Sequence, residues 1–202
     1  MLKDTLSGVS AGVAISLGGS VYLACENRVV GAVLFSVALL CICLKGYALF
    51  TGKVGFLPEN HSRPAVSLLL LCLLGNLIAT VLCGVLVRYA VPASGETAFA
   101  VCSAKLSQAP AATLIRGFFC GVLMYLAVSI YRDKNTVAGI LFCIPVFILS
   151  GFEHSIADMF YFAASGIVSL RACGFIWLVI LGNALGAMLL PALDLLGKGE
   201  KS

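Results

Sequence analysis

The chain has 202 residues, 61% of them hydrophobic and only 11% charged, with a mean hydropathy of +1.08. An ordinary soluble domain carries roughly 25% charged residues, so this composition excludes a soluble globular fold and indicates an integral membrane protein. The net charge of +4 comes without a basic cluster long enough to engage nucleic acid.

At about 20 apolar residues per spanning helix, the sequence predicts six membrane segments, over residues 6–24, 29–56, 65–91, 111–131, 137–168 and 173–196. Met1-Leu2-Lys3-Asp4 leads straight into the first of them without a small-residue cleavage region, so that helix is expected to be retained. The first segment carries Ser7-Gly8-Val9-Ser10-Ala11-Gly12, a small-xxx-small face suited to close helix packing in lipid. The second is apolar through Cys43 and then runs Lys45-Gly46-Tyr47-Ala48-Leu49-Phe50-Thr51-Gly52-Lys53-Val54-Gly55. Two lysines and three glycines there predict a broken helix, which is tolerated at membrane depth only where protein buries it or a cavity wets it. A short polar connection with a solvated His61 leads to the third segment, which contains Gly75-Asn76. Residues 92–110 are expected to form an outer connection with a turn at Ser94-Gly95-Glu96, and Lys105 lies beyond that turn.

The fourth segment has Gly117 and Gly121 spaced like Gly8 and Gly12, and Arg132-Asp133-Lys134 forms an inner turn. The fifth contains Ser150-Gly151-Phe152-Glu153-His154-Ser155-Ile156-Ala157-Asp158, a glycine, two carboxylates and a histidine within a long apolar run. Ionisable groups at such depth are costly and mark ion or substrate pathways. The sixth has Gly182-Asn183 before a polar tail.

Six crossings put both termini on one side. With that side cytoplasmic, the inner basic residues are Lys3, Lys53, Arg63, Arg132, Lys134, Lys198 and Lys201, against Arg28, Arg88, Lys105 and Arg171 outside. The excess agrees with the positive-inside rule and with a multi-pass protein of the plasma (inner) membrane. The nine cysteines lie mostly within the apolar segments, where they act as small hydrophobes. Their odd number and spacing fit neither a disulfide framework nor a metal site.

The halves repeat. Gly8/Gly12 pairs with Gly117/Gly121, Gly75-Asn76 with Gly182-Asn183, and the break at Thr51 with His154, in one order and at nearly one offset. Two three-helix copies, over residues 6–91 and 111–196 of a single domain spanning 1–202, must have opposite orientations because three is odd. That is the inverted-repeat plan of channels and transporters, with interrupted helices meeting near the midplane.

These residues resemble the formate/nitrite transporter family over nearly the whole chain. The resemblance rests on Leu49-Phe50-Thr51-Gly52, Gly75-Asn76-Leu77-Ile78, Lys105-Leu106-Ser107, Ile115-Arg116-Gly117, Gly151-Phe152-Glu153-His154-Ser155 and Gly182-Asn183. It implies an all-α homopentamer of aquaporin-like protomers, each with its own pore for a small monovalent anion or its conjugate acid, and neither an enzyme nor a cofactor protein. The family's pore histidine falls on His154, its loop threonine on Thr51, its vestibule lysine on Lys105, and its apolar constrictions on Phe35, Leu39, Leu49 and Phe147. Asn76, Asn183 and Glu153 are supporting positions, Glu153 turning away from the pore toward backbone or a neighbouring subunit.

Three departures from the family pattern stand out. Gly121 replaces an asparagine, which is expected to widen the pore; Lys53 and Asp158 replace asparagines that follow the two helix breaks. A Lys53–Asp158 salt bridge is the expectation. In the mechanism implied, Lys105 draws the anion in, Thr51 and helix-end amides replace part of its hydration, and His154 relays a proton or serves only as a hydrogen-bond partner. Formate leads the candidate substrates, followed by hydrosulfide and nitrite, with acetate and lactate also compatible. A neutral-solute channel of the aquaporin type is the alternative, although neither break carries Asn-Pro-Ala. An intramembrane hydrolase lacks its second histidine.

Overall fold

The computed structural model describes residues 2–199, with side chains through residue 197; Lys198 and Lys201 of the basic set lie outside the described side chains. The chain is helical throughout: α1 (Leu2–Ala24), α2 (Arg28–Lys45), α3 (Phe50–Lys53) running into a 3-10 turn (Val54–Phe56), α4 (Arg63–Ala90), α5 (Pro92–Leu106), α6 (Pro110–Lys134), α7 (Ala138–Leu149), α8 (Ser155–Ser165) and α9 (Leu170–Gly199). Among the described residues, five helices (α1, α2, α4, α6 and α9) are long and apolar enough to cross a membrane, and α7 is a shorter apolar helix.

The second and fifth apolar segments each resolve into two helices, and the sequence dictates where they break. Gly46 closes α2 at φ 69°, and Tyr47 N–H donates to Ile42 O at 2.9 Å. Gly151 follows α7 at φ 70°, and Phe152 N–H donates to Phe147 O at 3.0 Å. Both glycines occupy the left-handed region that ends helices and that a Cβ would disfavour. Each is followed by three residues of extended chain ending in an extended N-cap, Leu49 (φ −101°, ψ 127°) in one case and His154 (φ −112°, ψ 112°) in the other. The two breaks therefore match residue by residue, Gly46 with Gly151 and Leu49 with His154. This register corrects the expected pairing of Thr51 with His154 by two positions.

Breaking a helix in an apolar setting orphans backbone polar groups, and two asparagines take them up. Asn76 Oδ1 accepts from Phe50 N–H at 2.9 Å while its Nδ2 donates to Gly8 O at 2.8 Å and Ala48 O at 3.0 Å. Asn183 repeats this at the other break: Oδ1 accepts from Ser155 N–H at 2.8 Å, and Nδ2 donates to Gly117 O and Glu153 O, both at 2.8 Å. Both side chains are fully buried.

Close packing brings these asparagines within reach. A Cβ on Gly12 would lie 2.8 Å from Asn76 O, and one on Gly182 would lie 2.6 Å from Leu114 O. The small-residue faces thus set the α1–α4 and α6–α9 crossings. Gly121 belongs to the second of these: its Cβ would sit 2.8 Å from Ala187 N, and it lines neither large cavity. The expectation that Gly121 widens the pore is therefore corrected, because its missing side chain makes room for α9.

Residues 92–110 are the other correction. Pro92 opens α5, Ser94-Gly95-Glu96 lies in its first turns, and Ser94 and Gly95 are buried. Proline at the first helical position is pre-organised for helix, so the Ser-Gly pair reads as a turn only if the packing of α5 on α8 is ignored.

Replacing Asn183 with leucine leaves the buried Ser155 N–H and Glu153 C=O without a partner, at about 1–3 kcal/mol per orphaned group. Asn183→Leu is therefore expected to lower the thermal unfolding temperature of the detergent-solubilised protein clearly, whereas Leu185→Ala on the exposed face of α9 leaves it nearly unchanged.

Candidate functional site

Two cavities approach one another across the two helix breaks. One, of about 570 Å³, is lined by Lys105, Gln108, Glu153, His154, Asp158 and Tyr161 with Phe35 and Phe147 among its apolar walls. The other, of about 390 Å³, is lined by Lys53, Arg132, Asn60 and Tyr131 with Leu39 and Leu49. The four expected constriction residues are all buried and divide between the cavities in these pairs. Phe35 and Phe147 meet edge to face with centroids 6.2 Å apart.

His154 and Thr51 meet at the junction, Nε2 to Oγ1 at 2.8 Å, with Thr51 fully buried. The imidazole also stacks on Phe147, centroids 5.7 Å apart and planes at 24°. His154 has a second duty as the N-cap of α8, where its Nδ1 accepts from Ala157 N–H at 3.1 Å. An Nδ1 that accepts a hydrogen bond carries no proton. The geometry thus assigns a neutral imidazole with its proton on Nε2, donated to Thr51 Oγ1. Charging the ring would put a second donor against Ala157 N–H and undo the cap.

Around the larger cavity, charge is concentrated on three buried side chains. Lys105 Nζ contacts the Glu153 carboxylate and lies 3.0 Å from Asp158 Oδ1, and its side chain is only 15% exposed. Gln108 Nε2 donates to Glu153 Oε1 at 2.7 Å, and Tyr161 presents its ring 5.9 Å from the lysine nitrogen. Lys105 is therefore not the solvated anchor that its place near the mouth of a membrane segment suggests; two carboxylates hold it. Glu153, expected to turn away, points its carboxylate into this cavity toward Lys105 and Gln108, while its backbone N–H donates to Arg116 O at 3.3 Å and its C=O accepts from Asn183.

The expected Lys53–Asp158 pair does not form. Asp158 is taken by Lys105, while Lys53 lines the other cavity beside Arg132. The reason lies in the matched breaks: Lys53 stands four residues beyond Leu49 and Asp158 four beyond His154, so the two occupy equivalent places in separate cavities. Arg132 is itself engaged, 3.6 Å from Glu59 and stacked on the Phe56 ring at 4.1 Å. Gln108 is the member of the site that sequence reasoning missed. It lies just beyond the end of α5, in the short link to α6, where no sequence signal marked it.

A family model described as Formate/nitrite transporter matches residues 1–196. The nitrite transporter NirC of Salmonella typhimurium (strain LT2) is 28% identical, over 95% of this chain and 80% of its own length. The uncharacterized transporter YwcJ of Bacillus subtilis (strain 168) is 27% identical, over 83% of this chain and 73% of its own length. Among solved structures, a pentameric formate channel with formate bound matches with a TM-score of 0.84 at 21% identity, covering 98% of this chain and 97% of that one. An FNT family ion channel matches at 0.77 and 24% identity, covering 98% and 88%. At these identities the two structures establish the fold.

Removing Lys105 while leaving two buried carboxylates breaks an ion cluster, a change that costs about 3–5 kcal/mol. Lys105→Ala is expected to unfold at a clearly lower temperature in detergent, with part of the loss recovered in Lys105→Ala/Glu153→Gln, which removes the carboxylate that Lys105 contacts. The effects of Lys53→Ala and Asp158→Asn on unfolding should simply add, within about 0.5 kcal/mol as for sites out of contact; a larger coupling would restore the Lys53–Asp158 pair.

Proposed function

Since the chain belongs to the formate/nitrite transporter family, we propose that it conducts small monovalent anions, or their conjugate weak acids, across the plasma membrane, with formate first, then nitrite or hydrosulfide. The observation that carries this reading is the Thr51–His154 contact, which ties the His154 wall of the cavity lined by Phe35 and Phe147 to the α3 turn that borders the cavity lined by Leu39 and Leu49. The proposed assembly is a homopentamer with a pore in every protomer, in keeping with the pentameric formate channel that shares its fold.

Within each protomer we read six crossings in an inverted three-plus-three repeat, α2–α3 and α7–α8 being the two interrupted ones. The twin breaks and the twin asparagine bridges support that reading. Both termini are then cytoplasmic, the Lys53 cavity opens to the cytoplasm and the Lys105 cavity to the outside.

A bare anion loses its hydration at the phenylalanine pair, at a cost far above that of moving a neutral acid. In the proposed path Lys105 draws the anion into the outer cavity, the anion takes up a proton there, and the neutral acid passes the aromatic pair. The Thr51–His154 pair opens to hydrogen-bond the passing molecule: neutral His154 offers its Nε2–H, and Thr51 can both donate and accept. The acid ionises again in the inner cavity, where Lys53 and Arg132 favour the anion.

Stopped-flow uptake by proteoliposomes, run across formate, nitrite, hydrosulfide, acetate and lactate with glycerol as a neutral control, tests the function directly. Uptake of one or more anions with none of glycerol is expected; uptake of glycerol alone would replace this reading with a neutral-solute channel. Thr51→Val orphans the His154 donor, and at about 1.4 kcal/mol per tenfold a cost of 1–3 kcal/mol slows uptake about tenfold or more. Phe147→Ala should widen the aromatic constriction and raise lactate uptake relative to formate.

A further inference from the structure

The Lys105 cavity contains a charge that its surroundings do not balance. Two carboxylates, Glu153 and Asp158, share the single ammonium of Lys105, and their side chains are 3% and 1% exposed. Glu153 is fully engaged, one oxygen by Lys105 and the other by Gln108. Asp158 is only half engaged: Oδ1 meets Lys105, while Oδ2 is buried and has no hydrogen-bond partner. With both carboxylates ionised the buried cluster would be negative at the very place where an anion must approach, and an unpaired buried charge costs several kcal/mol.

We propose that Asp158 holds a proton on Oδ2 and is the acid that protonates the anion in this cavity. The inference rests on the anion-channel reading above and assigns the proton step that His154 cannot serve, its Nδ1 being committed to capping α8. With that proton in place the cluster is neutral, the orphaned oxygen becomes a donor, and its missing acceptor is an oxygen or sulfur atom of the arriving anion. In the step itself the Asp158 O–H bond breaks, its electron pair stays on Oδ2, and a new O–H or S–H bond forms on the substrate. The neutral acid leaves toward the Phe35–Phe147 pair. Asp158, now a carboxylate held by Lys105, is reprotonated by a proton from the external solution relayed through water in the cavity, so each turnover takes up one external proton with the anion.

The groups that face this carboxyl bear on its titration. From α5 come Lys105 and the Cys102 thiol; from the break, Glu153 and His154; from α8 itself, Tyr161; from α6, Cys120 and Arg116; from α1, Tyr22; and from α2, Arg28. On α4, Arg88 packs against Gly166 at the far end of α8, α9 brings the amide of Asn183, and α3 brings the Thr51 hydroxyl with Lys53 in the other cavity. Arg28 and Arg116 line the rim but are exposed, so solvent screens them. Lys105 is the one buried cation of the cluster, which leaves the second carboxylate to a proton.

The test has one arm that depends on transport and one that does not. Infrared titration of the purified protein reads protonated carboxyl groups by their carbonyl stretch. Ordinary carboxylates lose their protons below about pH 5, so a carboxylic-acid band present at pH 7 in the wild type and absent in Asp158→Asn is expected. In the wild type alone, the lack of any such band at pH 7 overturns the proposal, even if the variant does not assemble. In proteoliposomes at fixed formate concentration, the wild-type rate should plateau at acidic external pH and fall above it. Asp158→Asn should lose the plateau and follow bulk formic acid, tenfold per pH unit, running at least fivefold below wild type at pH 7, and Asp158→Glu should restore the plateau. A wild-type pH profile in Asp158→Asn overturns the proposal, as does a sodium-dependent rate in the wild type that Asp158→Asn abolishes, which would make the occupant a cation. An infrared band with no uptake of any anion would instead defeat the channel reading and leave the proton on Asp158 standing.

Discussion

The interaction on which the rest of this structure depends is the three-way hydrogen bond of a buried asparagine. An apolar helix that stops at membrane depth leaves carbonyls and amides that lipid cannot satisfy. Asn76 and Asn183 each supply one acceptor and two donors where an interrupted segment passes a continuous helix. Without that exchange, neither the extended stretch before α3 nor the one before α8 could remain dry, and Thr51 and His154 would have no fixed positions from which to meet. The glycines of the α1–α4 and α6–α9 crossings are subordinate to it, since an amide side chain reaches the neighbouring carbonyl only when the backbones are close.

His154 draws its character from the same architecture. As the N-cap of α8 it spends Nδ1 on the backbone, which fixes its tautomer and turns Nε2 into a hydrogen-bond donor toward Thr51. A buried histidine in an apolar run invites a reading as a proton carrier because its unperturbed pKa lies near neutrality. Here hydrogen-bond geometry outweighs that default, and ionisable chemistry moves to the cavity where Lys105, Glu153 and Asp158 are packed together.

Much of this was legible in the residues. The all-helical, apolar character, the two breaks and the small-residue faces follow from composition and from Gly46, Gly151, Gly12 and Gly182, whose structural work is local. The four residues that the family resemblance marked as constrictions, Phe35, Leu39, Leu49 and Phe147, are buried along the two cavities. Side-chain partnership was not legible in the same way. Lys53 and Asp158 suggested a pair because both follow a break, yet equivalence within matched halves is what separates them. Glu153 was expected to turn away from the pore toward backbone or a neighbouring subunit, but Lys105 and Gln108 draw its carboxylate into the cavity. Ser94-Gly95-Glu96 was taken as a turn in the connection because Ser-Gly pairs signal turns in water; packed on α8, these residues are the opening of a helix. Gly121 looked like a lost polar group and is in fact a contact with α9.

The sequence separations of the bridging bonds carry one further consequence, for the order in which the chain assembles. Asn76 ties residues 26, 28 and 68 positions away, and Asn183 ties residues 28, 30 and 66 positions away, all within their own half. Thr51 and His154, by contrast, are 103 residues apart. Contacts distant in sequence must wait until the intervening chain has been ordered. Each set of asparagine bonds can therefore form within its own stretch of chain, whereas the Thr51–His154 contact must wait for both breaks to be in place.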